Sequence, residues 1–237
     1  MIISVHQPHF FPWLGYFNKV VNSDIFIWLN NVQYRKNYFQ NRTKIKNTNE
    51  IPLWLTIPVH THLQTKINEV TIADNNWSNR IQKIVESCYH KTPFFYEIWP
   101  SIVCSFTENS DKLDRINYEI FCSILDLLEL EKIKIIKADE IEIQSNDPTN
   151  RLVELCKYFG ANYYIAGKGG RNYMDTEKFE NEGIKIIWQS FNPEEVKYSQ
   201  FGKSFVSGLS ILDCLFNVGV EKTREIIINS WRPKNDY

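Results

Sequence analysis

Two histidines, a glutamine and two prolines are packed into one short stretch near the start of the chain, His6-Gln7-Pro8-His9-Phe10-Phe11-Pro12, and Trp13 follows directly. An imidazole can take or give a proton near neutral pH. A carboxamide both donates and accepts hydrogen bonds. Each proline fixes its own φ, so the turn is stiff, and a stiff turn holds side chains ready for chemistry. The chemistry that fits is proton transfer at His6, with Gln7 holding a substrate oxygen. His9, Trp13 and Lys19 are expected to contact the same substrate. The competing reading is structural: a histidine closing a strand end, with Trp13 and Phe17 in the core.

Three further segments could carry function. Between residues 30 and 46, amides, rings and cations interleave. Arg and Lys suit phosphate, and Asn and Gln read donors and acceptors together. Gln33, Asn41 and Arg42 are the candidates there, while Lys36, Lys44 and Lys46 read as solvated cations. The second segment is Ala166-Gly167-Lys168-Gly169-Gly170-Arg171-Asn172-Tyr173. Its glycines let backbone N–H groups turn toward an anion, which is how a phosphate nest works. It is neither a Walker A loop nor a dinucleotide fingerprint. Lys168 and Arg171 add charge, and Tyr173 could stack on a sugar or base. The third is Gln189, placed after an apolar run where it could face the same ligand.

Other groups read as structural. Ser210 and Asp213 form S-x-x-D before an apolar run, a capping box rather than a catalytic pair. Cys88, Cys122 and Cys156 fall on apolar helix faces and pack as small hydrophobes, and the five cysteines show no C-x-x-C spacing. His60-x-His62 offers two metal ligands with no third nearby, so no metal site and no tightly bound cofactor are expected.

Elements must position these groups. Residues 2–5 read as a buried strand, Leu14, Phe17 and Val20 recur at helical spacing, and residues 25–29 are a second apolar strand. That is the size of a βαβ unit. Residues 30–75 are β-like, with an apolar strand over 53–59 broken by Pro58 and alternation over 67–72. Helical patterns follow over 77–88, 93–106 and 113–128, the last with Ser110 as its N-cap. Strands at 133–138, 163–166 and 184–188 then alternate with helices. The first of these is opened by Asp147-Pro148 and closed by Gly160, the second spans 175–182, and two more follow at 210–218 and 221–231. The expected fold is a single α/β domain over residues 1–237: a mostly parallel, doubly wound, Rossmann-like sheet with a helical insertion or cap around 77–129. In such a sheet the loops at 30–42, 167–173 and 189–192 would share an edge with His6.

The 237 residues are 43% hydrophobic and 14% aromatic with a net charge of −1, which gives no bulk nucleic-acid footprint and no expectation of DNA binding. No secretory leader and no run of about 18 apolar residues is present, so a cytoplasmic protein without membrane insertion is expected.

The opening His6-Gln7-Pro8 with Pro12-Trp13-Leu14-Gly15-Tyr16-Phe17 and Lys19 closely resembles that of the WbqC-like family. Gln40-Asn41-Arg42, residues 54–59, Asn150-Arg151-Leu152, residues 166–173 and Leu209-Ser210-Ile211-Leu212-Asp213 extend the resemblance over nearly the whole chain. The chain departs from it at Asn30-Asn31, where an acidic residue is usual, and at Asn192-Pro193, where a His-Pro pair is common. The resemblance implies a transferase of bacterial O-antigen or other surface-polysaccharide biosynthesis, moving an aminoacyl or acyl group onto an amino sugar. The partners implied are a nucleotide-linked amino sugar and an acyl donor: coenzyme A, an acyl carrier protein or aminoacyl-tRNA. His6 would be the general base, with Gln7 or the 167–171 loop holding an oxyanion or phosphate. The alternatives are a nucleotidyltransferase of the H-x-G-H type, against which stands the lack of a second histidine after Gly15, and a non-catalytic sugar-nucleotide-binding subunit.

Overall fold

A computed structural model describes residues 1–106 and 110–233. The elements in chain order are β1 (Ile2–His6), α1 (Leu14–Val21), β2 (Ile25–Trp28), β3 (Arg42–Lys46), β4 (Pro52–Thr56), β5 (Val59–His60), β6 (Thr71–Ile72), α2 (Trp77–Tyr89), α3 (Phe95–Val103), α4 (Leu113–Leu127), β7 (Lys134–Lys137), α5 (Pro148–Tyr158), β8 (Tyr163–Ala166), α6 (Thr176–Asn181), β9 (Lys185–Trp188) and α7 (Ile211–Asn229).

Five of the strands form one sheet, ordered β7-β2-β1-β8-β9, and every pairing in it is parallel. Counted along the chain, that order is third, second, first, fourth, fifth. The direction of winding reverses between β1 and β8. In open α/β sheets ligands sit outside the carboxyl ends of the strands at this switch point. His6, the last residue of β1 and paired with Trp28, stands at that edge.

Strands covered on both faces read as unbroken apolar runs, and alternation of side chains divides them between two cores. Phe26 and Trp28 join one core with α1, α2, α3, α4 and α7. Ile3, Val5, Ile25 and Ile27 join the other with α5. The expected helical segment 77–129 therefore packs directly on the sheet face, with Phe121 of α4 5.0 Å from the Trp28 ring. α4 is also pinned to the end of β2: the Trp28 indole N–H and the Asn30 amide donate to the two oxygens of buried Asp114, at 2.7 and 2.8 Å.

The helix ends follow the sequence. Asp147 accepts the Asn150 N–H ahead of α5, and Gly160 beyond it takes φ 64°. Elsewhere local pattern yields to long-range contacts. The alternation over 67–72 is a 3₁₀ turn, Ile67–Glu69, followed by the two-residue β6. Ile67 and Asn68 donate to the carbonyls of Val32 and Asn30 instead of to a ladder. Ser110 does not cap α4: it accepts from Lys112, one step before the first helical residue. Ser210 does cap α7, but Asp213 does not close a box. Its oxygens accept the hydroxyls of Tyr89 and Tyr198 at 2.9 and 2.8 Å, and burial pushes its carboxyl up to about 6. Lys46 is not a solvated cation but fully buried, donating to the carbonyls of Phe201 and Ser204. It shares a face of β3 with Arg42 and Lys44, but the 201–204 segment covers it, and two carbonyls replace the water it loses.

The two expected C-terminal helices abut as one run broken at Gly219, which has φ 81° and ψ 176°. That conformation is essentially restricted to glycine, and an added Cβ would lie 3.0 Å from the Phe94 ring. Gly219→Ala should lower unfolding free energy by about 1–3 kcal/mol, read as a lower urea midpoint at unchanged m. Equal stability would mean that α7 can run through without its break.

Candidate functional site

A cleft of about 670 Å³ opens at the switch point. His6, Gln7, His9, Trp13, Lys19, Gly167, Lys168, Gly169, Gly170, Tyr173 and Gln189 all line it. The turn after β1, the first helix and the loop after β8 thus converge as the strand order requires.

His6 donates its Nδ1–H to the Gln7 carbonyl at 3.0 Å, since a carbonyl only accepts. That carbonyl also accepts the Tyr16 hydroxyl at 3.1 Å. Nε2 of His6 is left with its lone pair. Burial, then Lys19, then His9 hold the ring well below the ordinary histidine range, so it is neutral at pH 7. The His9 ring lies 4.7 Å from that of His6 and is enclosed by Tyr16, Phe39 and Tyr38 at 5.2, 5.4 and 5.6 Å. His9 is 4% exposed, and neither of its nitrogens has a hydrogen-bond partner. Burial and then Lys19 lower it to about 3.

Lys19 is the unusual group. It sits on α1 with 4% exposure, and burial lowers its ammonium to about 8. Its Nζ faces the loop after β8, 3.2 Å from where a Gly167 Cβ would be. Among the described residues, four charged side chains are buried: Lys19, Lys46, Asp114 and Asp213. Lys46 has two carbonyls, and each carboxylate has two donors. The Lys19 carbonyl accepts the Ser23 hydroxyl at 2.9 Å, but its ammonium has no hydrogen bond or ion pair with any described residue. An unpaired buried charge is costly, and a site that keeps one is shaped for an anion.

Another wall of the cleft is the 3₁₀ turn Lys168–Asn172, which opens at the end of β8 with Gly167 as its N-cap. Gly169 meets nothing within 4 Å of an added Cβ, and Lys168 is exposed. Gly170 packs under Met174 and Trp188, where an added Cβ would lie 2.6 Å from Met174 Sδ and displace that side chain. Gln189 donates to the Gly15 carbonyl at 2.8 Å and to Asn18 Oδ1 at 3.0 Å, so its amide fixes α1 against the sheet. No Asp, Glu, Ser, Thr or Cys is among the described residues lining the cleft.

Four expected site residues lie elsewhere. Gln33 is exposed and bridges to Lys66. Asn41 donates to the Ile57 carbonyl at 2.8 Å. Arg42, on β3 opposite Thr56, covers the Trp54 ring at 4.0 Å and donates to the Asn37 carbonyl. Arg171 lies over Trp188 at 4.7 Å, outside the lining. In their place the segment between β2 and β3 contributes Arg35, Tyr38 and Phe39. Gln7 holds that wall: its Oε1 accepts from Gln40, whose own Oε1 accepts the Arg35 N–H, both at 2.8 Å. Only the NH₂ of Gln7 remains for a ligand. Asn192 builds a turn with Glu195 at 2.7 Å, away from the cleft. β5 ends at His60, so the His60-x-His62 face does not form, and no group of three metal-ligating side chains occurs among the described residues. The sequence also held a signal read in the wrong place. His6-Gln7-Pro8-His9 has the spacing of H-x-G-H, with Pro8 at the glycine position, so the second histidine precedes Gly15.

Lys19 gives a test with a definite sign. One pKa unit is worth about 1.4 kcal/mol, so lowering the ammonium from 10.5 to about 8 costs on the order of 3 kcal/mol at neutral pH. The folded chain binds this proton more weakly than the unfolded chain. The cost is therefore full below about pH 8 and is relieved as pH rises toward about 10.5. Lys19→Met should be at least as stable as the parent near neutral pH and lack the alkaline rise in stability, read from urea midpoints at about pH 7 and about pH 9.5. A less stable variant at neutral pH would reveal a structural partner for the ammonium.

Comparison with known proteins bears on the chain as a whole. It is 29% identical over 225 residues to the uncharacterised protein Rv1507c of Mycobacterium tuberculosis (strain ATCC 25618 / H37Rv), covering 92% of this chain and 94% of that one. No solved structure matches it. Among the described residues, no helix is long and apolar enough to cross a membrane. The family model described as the WbqC-like protein family matches residues 7–225, from the histidine turn through the body of α7, and the chain belongs to that family.

Proposed function

We propose that the cleft is the active site of an N-acyltransferase or aminoacyltransferase that modifies the amine of a nucleotide-linked amino sugar, in cytoplasmic assembly of bacterial surface polysaccharide such as O-antigen. The observation that carries this reading is the buried Lys19 ammonium without a counterion, beside two neutral imidazoles. The substrate's phosphates supply the missing anion, resting on Lys19, on the N–H groups of the loop after β8 and on Lys168. Trp13, Tyr38 and Tyr173 give rings for a base or sugar to stack on. Acyl transfer to an amine needs an acceptor for its proton and donors for the oxyanion. His6 Nε2 is the acceptor, because Nδ1 is committed to the Gln7 carbonyl. The Gln7 NH₂ and the unpartnered His9 N–H are the donors.

Charge coupling links binding to catalysis. Lys19 depresses both histidines. A phosphate paired with Lys19 offsets that smaller contribution and raises His6, while burial, the larger cause, still holds the ring low.

Two outcomes follow. Binding of a nucleotide-linked amino sugar at neutral pH should be accompanied by proton uptake, seen as a heat of binding that changes between buffers of different ionisation enthalpy. Binding without proton exchange would separate the histidines from the phosphate. His6→Asn keeps a donor at the Nδ1 position and removes the base, so it should bind the sugar nucleotide normally while amide formation falls by about 10²–10⁴. Full turnover in that variant, followed by mass spectrometry of the sugar product, would remove His6 from the chemistry.

A further inference from the structure

We propose that this cleft makes its own acyl donor from a free carboxylic acid and a nucleoside triphosphate. The inference rests on the acyl-transfer reading above and names the source of the acyl group. A carboxylate oxygen attacks the α-phosphorus. The bond from that phosphorus to the bridging oxygen breaks, and pyrophosphate leaves with the electron pair. The product is a mixed acyl–nucleotidyl anhydride. The sugar amine then attacks the acyl carbon, nucleoside monophosphate leaves with the carbon–oxygen pair, and His6 Nε2 takes the amine proton.

Three features of the cleft point to a polyphosphate at its reacting centre. At the carboxyl end of β1, Pro8 brings His6 and His9 to a ring distance of 4.7 Å, and the ammonium of Lys19 lies with them. Lys19 and His9 are each 4% exposed, and neither has a protein partner. A thioester donor needs no such centre, since its transition-state charge sits on one carbonyl oxygen, which one or two N–H donors hold. A phosphorus under attack spreads charge over several oxygens, and a cation with flanking donors is what stabilises it.

The second feature is that the anion-binding surface is extended. Lys19 Nζ approaches the position of a Gly167 Cβ to 3.2 Å, and from there Gly169 and exposed Lys168 continue it. One phosphate would occupy one end; a triphosphate chain spans both. The third feature is what the lining omits. It offers no Ser, Thr or Cys to carry the acyl group as an ester or thioester, and no Asp or Glu to repel a triphosphate.

The test uses the full-length protein with magnesium and each of ATP, CTP, GTP and UTP, labelled at the α-phosphorus. Equilibrium dialysis measures binding. Exchange of labelled pyrophosphate into triphosphate is then followed with the proteinogenic amino acids and short-chain carboxylic acids as the panel. One triphosphate should bind, and a carboxylate from the panel should switch on exchange. Addition of the amino-sugar nucleotide should release monophosphate in step with amide. Lys19→Met should weaken triphosphate binding at least about tenfold with its melting temperature unchanged or higher. Lys168→Ala, at an exposed position, should fold normally and weaken binding by a smaller factor.

A protein that binds amino-sugar nucleotides but no triphosphate overturns this inference and leaves the proposed function standing. Amide formed from a coenzyme A thioester without triphosphate does the same, and so does release of diphosphate and inorganic phosphate. A bound triphosphate that exchanges no pyrophosphate with any acid of the panel also overturns it. Binding of neither ligand class overturns both readings.

Discussion

A full positive charge held inside the protein without a partner is the constraint around which the ligand side of this fold is built. Lys19 is 4% exposed on α1 and meets solvent only through the cleft it lines, so its neighbours shape its state. α1 is fixed from three directions. Gln189 at the end of β9 grips the Gly15 carbonyl and Asn18. Asn18 donates to the carbonyls of Ile227 and Trp231, tying α1 to the end of α7. Trp13 lies so close over Gly15 that a Cβ there would be 2.4 Å from its ring. A helix held this firmly cannot rotate to release its lysine. The charge stays where β1 and β8 part, and the backbone there is glycine.

The contrast with the remaining buried charges makes this a property of the site rather than of loose packing. Asp114 ties α4 to β2 and has a donor on each oxygen. Asp213 ties α2 and the segment before α7 together through two tyrosines. Lys46 closes the 201–204 loop through two carbonyls. Each answers its own desolvation inside the fold and can be counted as structure. Lys19 Nζ and the two buried nitrogens of His9 have no hydrogen-bond partner among the described residues, and both residues line one cleft. Unsatisfied polar groups are rare in folded proteins because each costs free energy. Two such side chains at one switch point, with nothing acidic in the lining, mark where the fold has given up stability for binding.

The alternation of apolar runs and breakers made the sheet and most helices legible, and with them the edge at which His6, Lys19 and the loop after β8 meet. Those signals are local. What was not legible depended on register between distant segments. Arg42 and Asn41 looked like ligand groups because they are polar and follow a loop. The β3–β4 pairing sends one over Trp54 and the other to the Ile57 carbonyl. Lys46 resembled Lys44 and shares its face of β3, but the 201–204 segment covers Lys46 and leaves Lys44 beside Trp54. The wall of Arg35, Tyr38 and Phe39 is positioned by Gln40 reaching Gln7 across 33 residues, which no periodicity reveals. The His6-x-x-His9 spacing was in the sequence all along; only the ring-to-ring contact makes it one unit.

The same electrostatics explains why two histidines so poorly suited to protonation can still sit at a reacting centre. In the free cleft, burial and Lys19 act together, and both rings are neutral. With neutral imidazoles, the full charges among the described residues lining the cleft are the cations Lys19, Lys168 and Arg35, so an arriving anion meets attraction with no competing carboxylate. In the proposed complex a bound anion would offset the effect of Lys19 on the histidines, while burial, the larger cause, would still hold both rings low. His9, without a protein partner on either nitrogen, can then donate to phosphate oxygen at no cost to another bond. His6 keeps its Nδ1–H on the Gln7 carbonyl, and its Nε2 becomes a stronger acceptor. A depressed pKa in the empty site is therefore compatible with proton transfer in the filled one. Under the proposed reading, the ligand's own charge raises the basicity of the group that acts on it.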